Sequence, residues 1–262
     1  MKRKGFRIPG KPLFISLIIL LALCFAIGYI WRILSTSEYF QVKDIISKED
    51  SRVDLSYLKG KNIFNLDLSK ESLNIIKVCP DCSRIRLARI LPNRIYVEFV
   101  KRKPVAFIRL NNYLAVDECG VVFYTSVKPD ESDLPIILGL ESKITGPKSG
   151  KRYEFKELLV ALDILKEARR NPLLRECKIS KIDVSDIDNI AIQMPFPQKS
   201  ASTLSPKASI KSDFLVVKIS QGNISEKIVI MAGLINQEKQ NLEDIKYIDL
   251  RFREPVIKFK DK

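Results

Sequence analysis

The chain has 262 residues, and its 45 Lys and Arg against 31 Asp and Glu give a formal charge of +14, with 46% hydrophobic and 29% charged residues. That balance suits a folded protein and argues against global disorder, while charge alone does not choose between nucleic acid, anionic lipid and an acidic protein. There is no His at all, which removes His-based triads, His metal sites and the usual general base near neutral pH.

Residues 1–12 form a basic tail, with Lys2, Arg3, Lys4, Arg7 and Lys11 and no acid among them. Residues 13–31, LFISLIILLALCFAIGYIW, then run without a charge. A helix crossing the hydrocarbon core needs roughly 20 apolar residues. A buried core helix would show a polar stripe, and only Ser16 interrupts this run. A signal peptide has an apolar run of about 7–15 residues followed by a small-x-small cleavage site, whereas this run is longer and ends in Tyr29-Ile30-Trp31-Arg32. An uncleaved transmembrane helix over 13–34 is therefore expected. The five tail cations against Arg32 alone on the far side place the N-terminus in the cytoplasm and everything from about residue 36 outside it, with Tyr29 and Trp31 at the outer interface.

Beyond the anchor, YFQVKDII (39–46) reads as a strand and SKESLNIIKV as a helix capped by Ser69. Leu73 and Ile76, with Ile75 alongside, give that helix an apolar face, and Pro80 ends it. Ile85 and Leu87 alternate with Arg84 and Arg86; after a Pro92-Asn93 turn, Ile95, Val97 and Phe99 alternate with Arg94, Tyr96 and Glu98. These are two half-buried strands with charges on the wet face. A nucleic-acid platform would put aromatics on the Arg face, and only Tyr96 is there. The unit is a small βααββ layer.

From residue 105 the pattern is β-rich. VAFIRL, NYLAVD and GVVFYT are short strands divided by turn residues, and DLPIILGL is an apolar run fenced by Pro135 and Gly139. Apolar residues at 155, 158, 159, 162 and 165 mark a helical stripe. CKISKIDVS, NIAIQM, FLVVKIS and KIVIMAG read as strands, and the chain ends in KYIDLRFREPVIKF. Ser, Pro and Lys crowd 195–211, read as a mobile loop. The whole is α+β.

CPDC (79–82) is the most enzyme-like fragment: a redox pair, half a zinc site or a local disulfide. Zinc lacks further ligands here. The motif closes a helix rather than opening one, so the dipole does not activate its thiols. A structural role, with Cys79 and Cys82 as a candidate disulfide, is the expectation. Cys119 and Cys177 could pair in the β-rich unit. Asp186–Asp188 and Glu243–Asp244 read as turns and helix ends rather than a catalytic carboxylate pair.

The order of tail, anchor, βααββ unit and β-rich unit resembles the FtsQ/DivIB family of bacterial cell-division proteins. GKNIFNLD (60–67), the spaced Pro80, Pro92 and Pro104 with PVA at 104–106, YLAVDECGVVF (113–123), LPIILG (134–139) and YIDLRF (247–252) carry the likeness. The resemblance implies that 38–104 is a polypeptide-transport-associated (POTRA) domain and 105–259 a β domain. It further implies a non-enzymatic scaffold without catalytic residue, metal or cofactor, which links early and late division proteins at the septum of the cytoplasmic membrane. Its implied partners are FtsB/DivIC-type and FtsL-type proteins at the C-terminal β edge, with other division proteins at the POTRA unit and membrane segment. Carried onto this sequence, the contact positions are Phe252, Glu254, Val256 and Ile257, with Tyr247 and Arg251 in the signature beside Asp249. Lys101 stands where the family has an acid. The alternative is a POTRA-containing component of an export or envelope-assembly machine, whose chains continue into a β-barrel. An anchored cell-wall enzyme would need a convergent nucleophile or carboxylate constellation, and none is visible.

Overall fold

The computed structural model describes residues 10–48, 53–174, 177–196, 214–238 and 241–260. Its architecture is α+β: an apolar N-terminal helix, a small layered unit and a β-rich unit. The chain divides into two compact units between Lys101 and Arg102.

In the first unit, helix α1 spans Gly10–Thr36. Its stretch Phe14–Thr36 is 23 residues long with none of its residues fully buried, and at 1.5 Å per residue it covers roughly 35 Å, enough to cross a bilayer. There follow strand β1 (Asp44–Ser47), helix α2 (Leu68–Val78), β2 (Cys82–Ile90) and β3 (Arg94–Lys101). β3 is central, parallel to β1 and antiparallel to β2. Ile85, Ile95, Val97 and Phe99 point to one face and meet Ile75 of α2 together with Leu58, Ile63 and Leu66.

The order expected for this unit is kept, with the first of its two helices reduced to a 3₁₀ turn at Ser56–Leu58. Asp54 closes that turn by accepting the Ser56 N–H at 2.8 Å. Three local expectations are corrected. The strand expected from residue 39 begins at Asp44, because Ser37 caps a 3₁₀ turn at Glu38–Phe40. The cap of α2 is Asp67 rather than Ser69: its carboxylate accepts the N–H groups of Ser69 and Lys70, both at 3.1 Å, and an ionised acceptor suits a helix N-terminus. Leu73 is exposed, and the buried side of α2 runs through Ile75.

The second unit holds a ten-stranded mixed sheet. Its strands are β4 (Ala106–Arg109), β5 (Tyr113–Val116), β6 (Val121–Phe123), β7 (Ile136–Leu138), β8 (Lys151–Arg152), β9 (Lys181–Asp183), β10 (Ile190–Pro195), β11 (Phe214–Ile219), β12 (Ile245–Asp249) and β13 (Val256–Phe259). They lie in the order β13-β12-β11-β10-β9-β7-β4-β5-β6-β8. Helices α3 (Lys156–Arg170) and α4 (Ile224–Gln237) contribute to the main core, which gathers Ile108, Ile137, Leu158, Ile164, Ile192, Met231 and Ile248. Phe107, Ala115 and Phe123 form a smaller separate cluster, as alternation along β4, β5 and β6 requires.

KIVIMAG, expected as a strand, is the middle of α4. Ile228, Met231, Ala232 and Ile235 are buried at i, i+3, i+4 and i+7 while Val229 is 60% exposed, so the run has helical period; over seven residues an apolar run reads either way. In α3 the stripe is Leu158, Ala161, Leu162, Leu165 and Ala168, and Leu159 faces out. Pro195, the first residue of the loop expected at 195–211, is instead the last residue of β10, and residues 197–211 lie outside the described residues.

Two motif glycines are fixed by geometry. Gly120 has φ +78° and a Cβ there would lie 2.9 Å from the Tyr153 carbonyl oxygen; Gly139 has φ +88° and a Cβ there would collide with the Ser185 backbone. Asp117, 6% exposed, organises the turn after β5 by accepting the N–H groups of Cys119 at 3.0 Å and Val121 at 2.9 Å and the Arg102 guanidinium at 2.6 Å.

Candidate partner-binding edge

Strands β12 and β13 form an antiparallel hairpin with Asp249 opposite Val256, Ile248 opposite Ile257 and Tyr247 opposite Lys258. β12 also lies parallel to β11, whereas β13 pairs with β12 alone among the described residues. One side of β13 is therefore an open edge. Its polarity follows from two hydrogen bonds. Leu250 N–H donates to the Lys218 carbonyl of β11, and Lys260 N–H donates to the Asp244 carbonyl, both at 2.8 Å. Backbone groups alternate along a strand, so the N–H groups of Val256 and Lys258 point toward β12 and those of Ile257 and Phe259 toward the open side.

The six residues expected at the contact surface fall on or beside this hairpin. Phe252 is 64% exposed in the connection between the strands, Glu254 is exposed there too, and Val256 is exposed on β13. Ile257 is half-buried and packs against the main core, so its side chain anchors the edge rather than facing solvent. Tyr247 is half-buried with the Lys218 ammonium 4.8 Å from its ring centroid. Arg251 turns back on Asp249, with Nε 2.9 Å from Oδ1 and Nη2 2.6 Å from Oδ2, and its guanidinium lies 5.5 Å from the Phe252 ring centroid. This forked ion pair holds the Asp249 carboxyl below the usual carboxylate range and raises the Arg251 guanidinium further. The structure thus gathers all six residues and gives Arg251 and Ile257 supporting positions.

Phe259, which the sequence reading passed over, is 50% exposed at the end of β13. The alternation in VIKF was the signal that could have found it.

Of the residues expected to set topology, Lys2, Arg3, Lys4 and Arg7 lie outside the described residues, as does the Lys11 side chain. Cys79 and Cys82 are joined by a disulfide with their Cα atoms 5.3 Å apart, at the corner between α2 and β2. Cys119 is exposed, Cys177 is half-buried, and the two are not bonded to each other. Asp186 accepts the Asp188 N–H at 3.0 Å within a turn, and Glu243 and Asp244 lie in a 3₁₀ turn.

No protein-family model matches the chain. Curated relatives do, over most of its length. It is 26% identical over 239 residues to "Cell division protein FtsQ" of Geotalea daltonii, which covers 88% of this chain and 80% of the relative. A protein of the same name from Geobacter sp. is 21% identical over 90% of this chain and 83% of its own, and one from Koribacter versatilis is 23% identical over 92% and 68%. The family resemblance is to FtsQ/DivIB. The FtsQ likeness gives the motif residues a structural reading: Gly120 and Gly139 hold turns that admit no side chain, and Asp249 of the terminal signature is half of the ion pair behind Phe252.

Proposed function

We propose that this chain is a cell-division protein: a single-pass, non-enzymatic scaffold of the division complex that receives FtsB/DivIC-type and FtsL-type partners on the open side of β13. The N-terminal helix would cross the cytoplasmic membrane with the tail cations inside. The small unit would serve as the POTRA domain over about 38–104 and the β-rich unit as the β domain over about 105–259. Other division proteins would meet the POTRA unit and the membrane segment at the septum.

The observation that carries this reading is the side of β13 left unpaired among the described residues, with outward N–H groups at Ile257 and Phe259 and the exposed Phe252 alongside. Such an edge takes one added strand: backbone hydrogen bonds give affinity and neighbouring side chains give selectivity. The FtsQ likeness supports the division role.

The test is an N-terminal fluorescent fusion of the full chain in dividing cells, with Phe252→Asp and Phe259→Pro variants. Pro at 259 deletes one outward donor and leaves the β12–β13 bonds in place, since an edge strand accepts Pro on its free side. A mid-cell band for the parent, and loss of FtsB and FtsL co-purification in both variants, is the expected result. Uniform envelope signal with neither partner retained by the parent would overturn the division reading.

A further inference from the structure

The exit of the apolar helix is unlike a flexible tether. The last carbonyls of a helix have no partners within it. Here Asn62 Nδ2 donates to the carbonyl oxygens of Leu34 at 2.9 Å and Ser37 at 3.3 Å, and Asn65 Nδ2 donates to that of Ser35 at 3.1 Å. Both asparagines sit in the loop 61–65, far along the chain from α1. The same loop is pinned on its other side by Arg89 of β2, whose Nε and Nη2 donate to the carbonyls of Ile63 at 2.7 Å and Leu66 at 2.6 Å. Ile63 N–H donates to the Phe40 carbonyl at 2.9 Å and Val42 N–H to that of Lys61 at 3.0 Å, closing the loop onto the segment leaving the helix.

Aromatic contacts run through this clasp. The Phe64 ring centroid is 6.2 Å from that of Trp31, Phe40 is 5.1 Å from Phe64, and Tyr39 is 5.2 Å from Phe40. Trp31 closes the charge-free run and Arg32 follows it, the place where a spanning helix meets the headgroups. Phe64 touches Trp31 and therefore shares that level. Tyr39, 63% exposed, continues the series outward.

We propose that the loop 61–65 is a clasp that caps the anchor and seats one face of the small unit, through Phe64 and Tyr39, in the phospholipid headgroup layer. This rests on the reading of α1 as a membrane span. The occupant is lipid because the aromatic series is continuous with the helix's own interfacial Trp, and its two ends, Trp31 and Tyr39, are rings with one polar end that favour that layer, with the half-buried Phe64 ring held against Trp31. The small unit is then held in one attitude on the bilayer.

The test uses the full chain in phosphatidylethanolamine–phosphatidylglycerol vesicles carrying a headgroup spin label. Trp31 is the chain's single Trp, so the parent reports on the anchor alone. Two further proteins carry Trp31→Phe with either Phe64→Trp or Tyr39→Trp, the exposed second site guarding against misfolding at the first. Label-dependent quenching of all three, and at least twofold relief for the Phe64→Trp protein when Asn62→Ala and Asn65→Ala are added, is expected. Quenching of the parent without quenching of either new Trp would overturn the seat while the anchor stands. An unquenched parent would remove the membrane span and the proposal with it. Quenching of the Phe64→Trp protein that ignores the asparagine changes would overturn the clasp.

Discussion

Arg251 grips the carboxylate of Asp249 with two nitrogens, across one intervening residue, at the point where β12 ends. The fork fixes the direction in which the chain leaves the sheet and so the position of Phe252. The Asp249 side chain is only 7% exposed, so loss of its partner leaves a poorly solvated charge.

Asp249→Asn, which replaces the charged acceptor of this fork by a neutral amide, should lower stability at neutral pH by about 1–3 kcal/mol, the usual scale for a hydrogen bond to a charged group. Because Arg251 lowers the folded-state pKa of Asp249, this contribution is present above the unfolded value, near 3.9, and is lost as pH falls through the folded value below it. Thermal unfolding of the detergent-solubilised chain at a series of pH values checks this. The variant should show a shallower acid decline than the parent, and an identical decline would refute the coupling.

Gly139→Ala should prevent accumulation of folded protein. The left-handed backbone there and the Ser185 backbone packed where a Cβ would sit act together. A Gly146→Ala control has the same backbone sign but open space around it and should cost about 1 kcal/mol. Equal expression and equal unfolding temperatures for the two variants would contradict the steric account.

Arg102→Ala should cost about 3–5 kcal/mol, because it strips the cation from the buried Asp117. Lys143→Ala breaks the ion pair with Glu157, whose Lys is 42% exposed, and should cost less than about 1 kcal/mol. Denaturant unfolding of both variants gives the comparison, with a reversed order as the contrary outcome.

Reducing the Cys79–Cys82 disulfide should lower stability by about 2 kcal/mol, since closing so short a loop restrains few unfolded conformations. A Cys79→Ser, Cys82→Ser double variant should match the reduced parent and show no response to reductant. A response in that variant would locate the effect elsewhere.

Strong alternation and long apolar runs were legible. The N-terminal helix announces itself by its unbroken charge-free run, and the β2–β3 hairpin with Ile95, Val97 and Phe99 inward and β10–β11 do so because burial on one face leaves a period of two. Local competition was not legible. Asp67 displaced Ser69 as the cap because an ionised carboxylate reaches two N–H groups, and α4 hid within KIVIMAG because a run of five apolar residues satisfies either period. At the candidate edge it was the family resemblance that pointed to Phe252 and Val256, and only the strand order shows that β13 lies at the border of the sheet. Nor could sequence distance reveal that Asn62 and Asn65 return to the end of α1.

The opposite border of the ten-stranded sheet is β8, two exposed residues, Lys151 and Arg152, bonded to β6. So short and charged a border discourages strand pairing, whereas β13 offers four residues and two outward donors. Among the described residues the sheet therefore has one open end and one blunt end. Head-to-tail pairing of copies, β13 of one chain onto β8 of the next, is therefore disfavoured by the two charged residues at the far border.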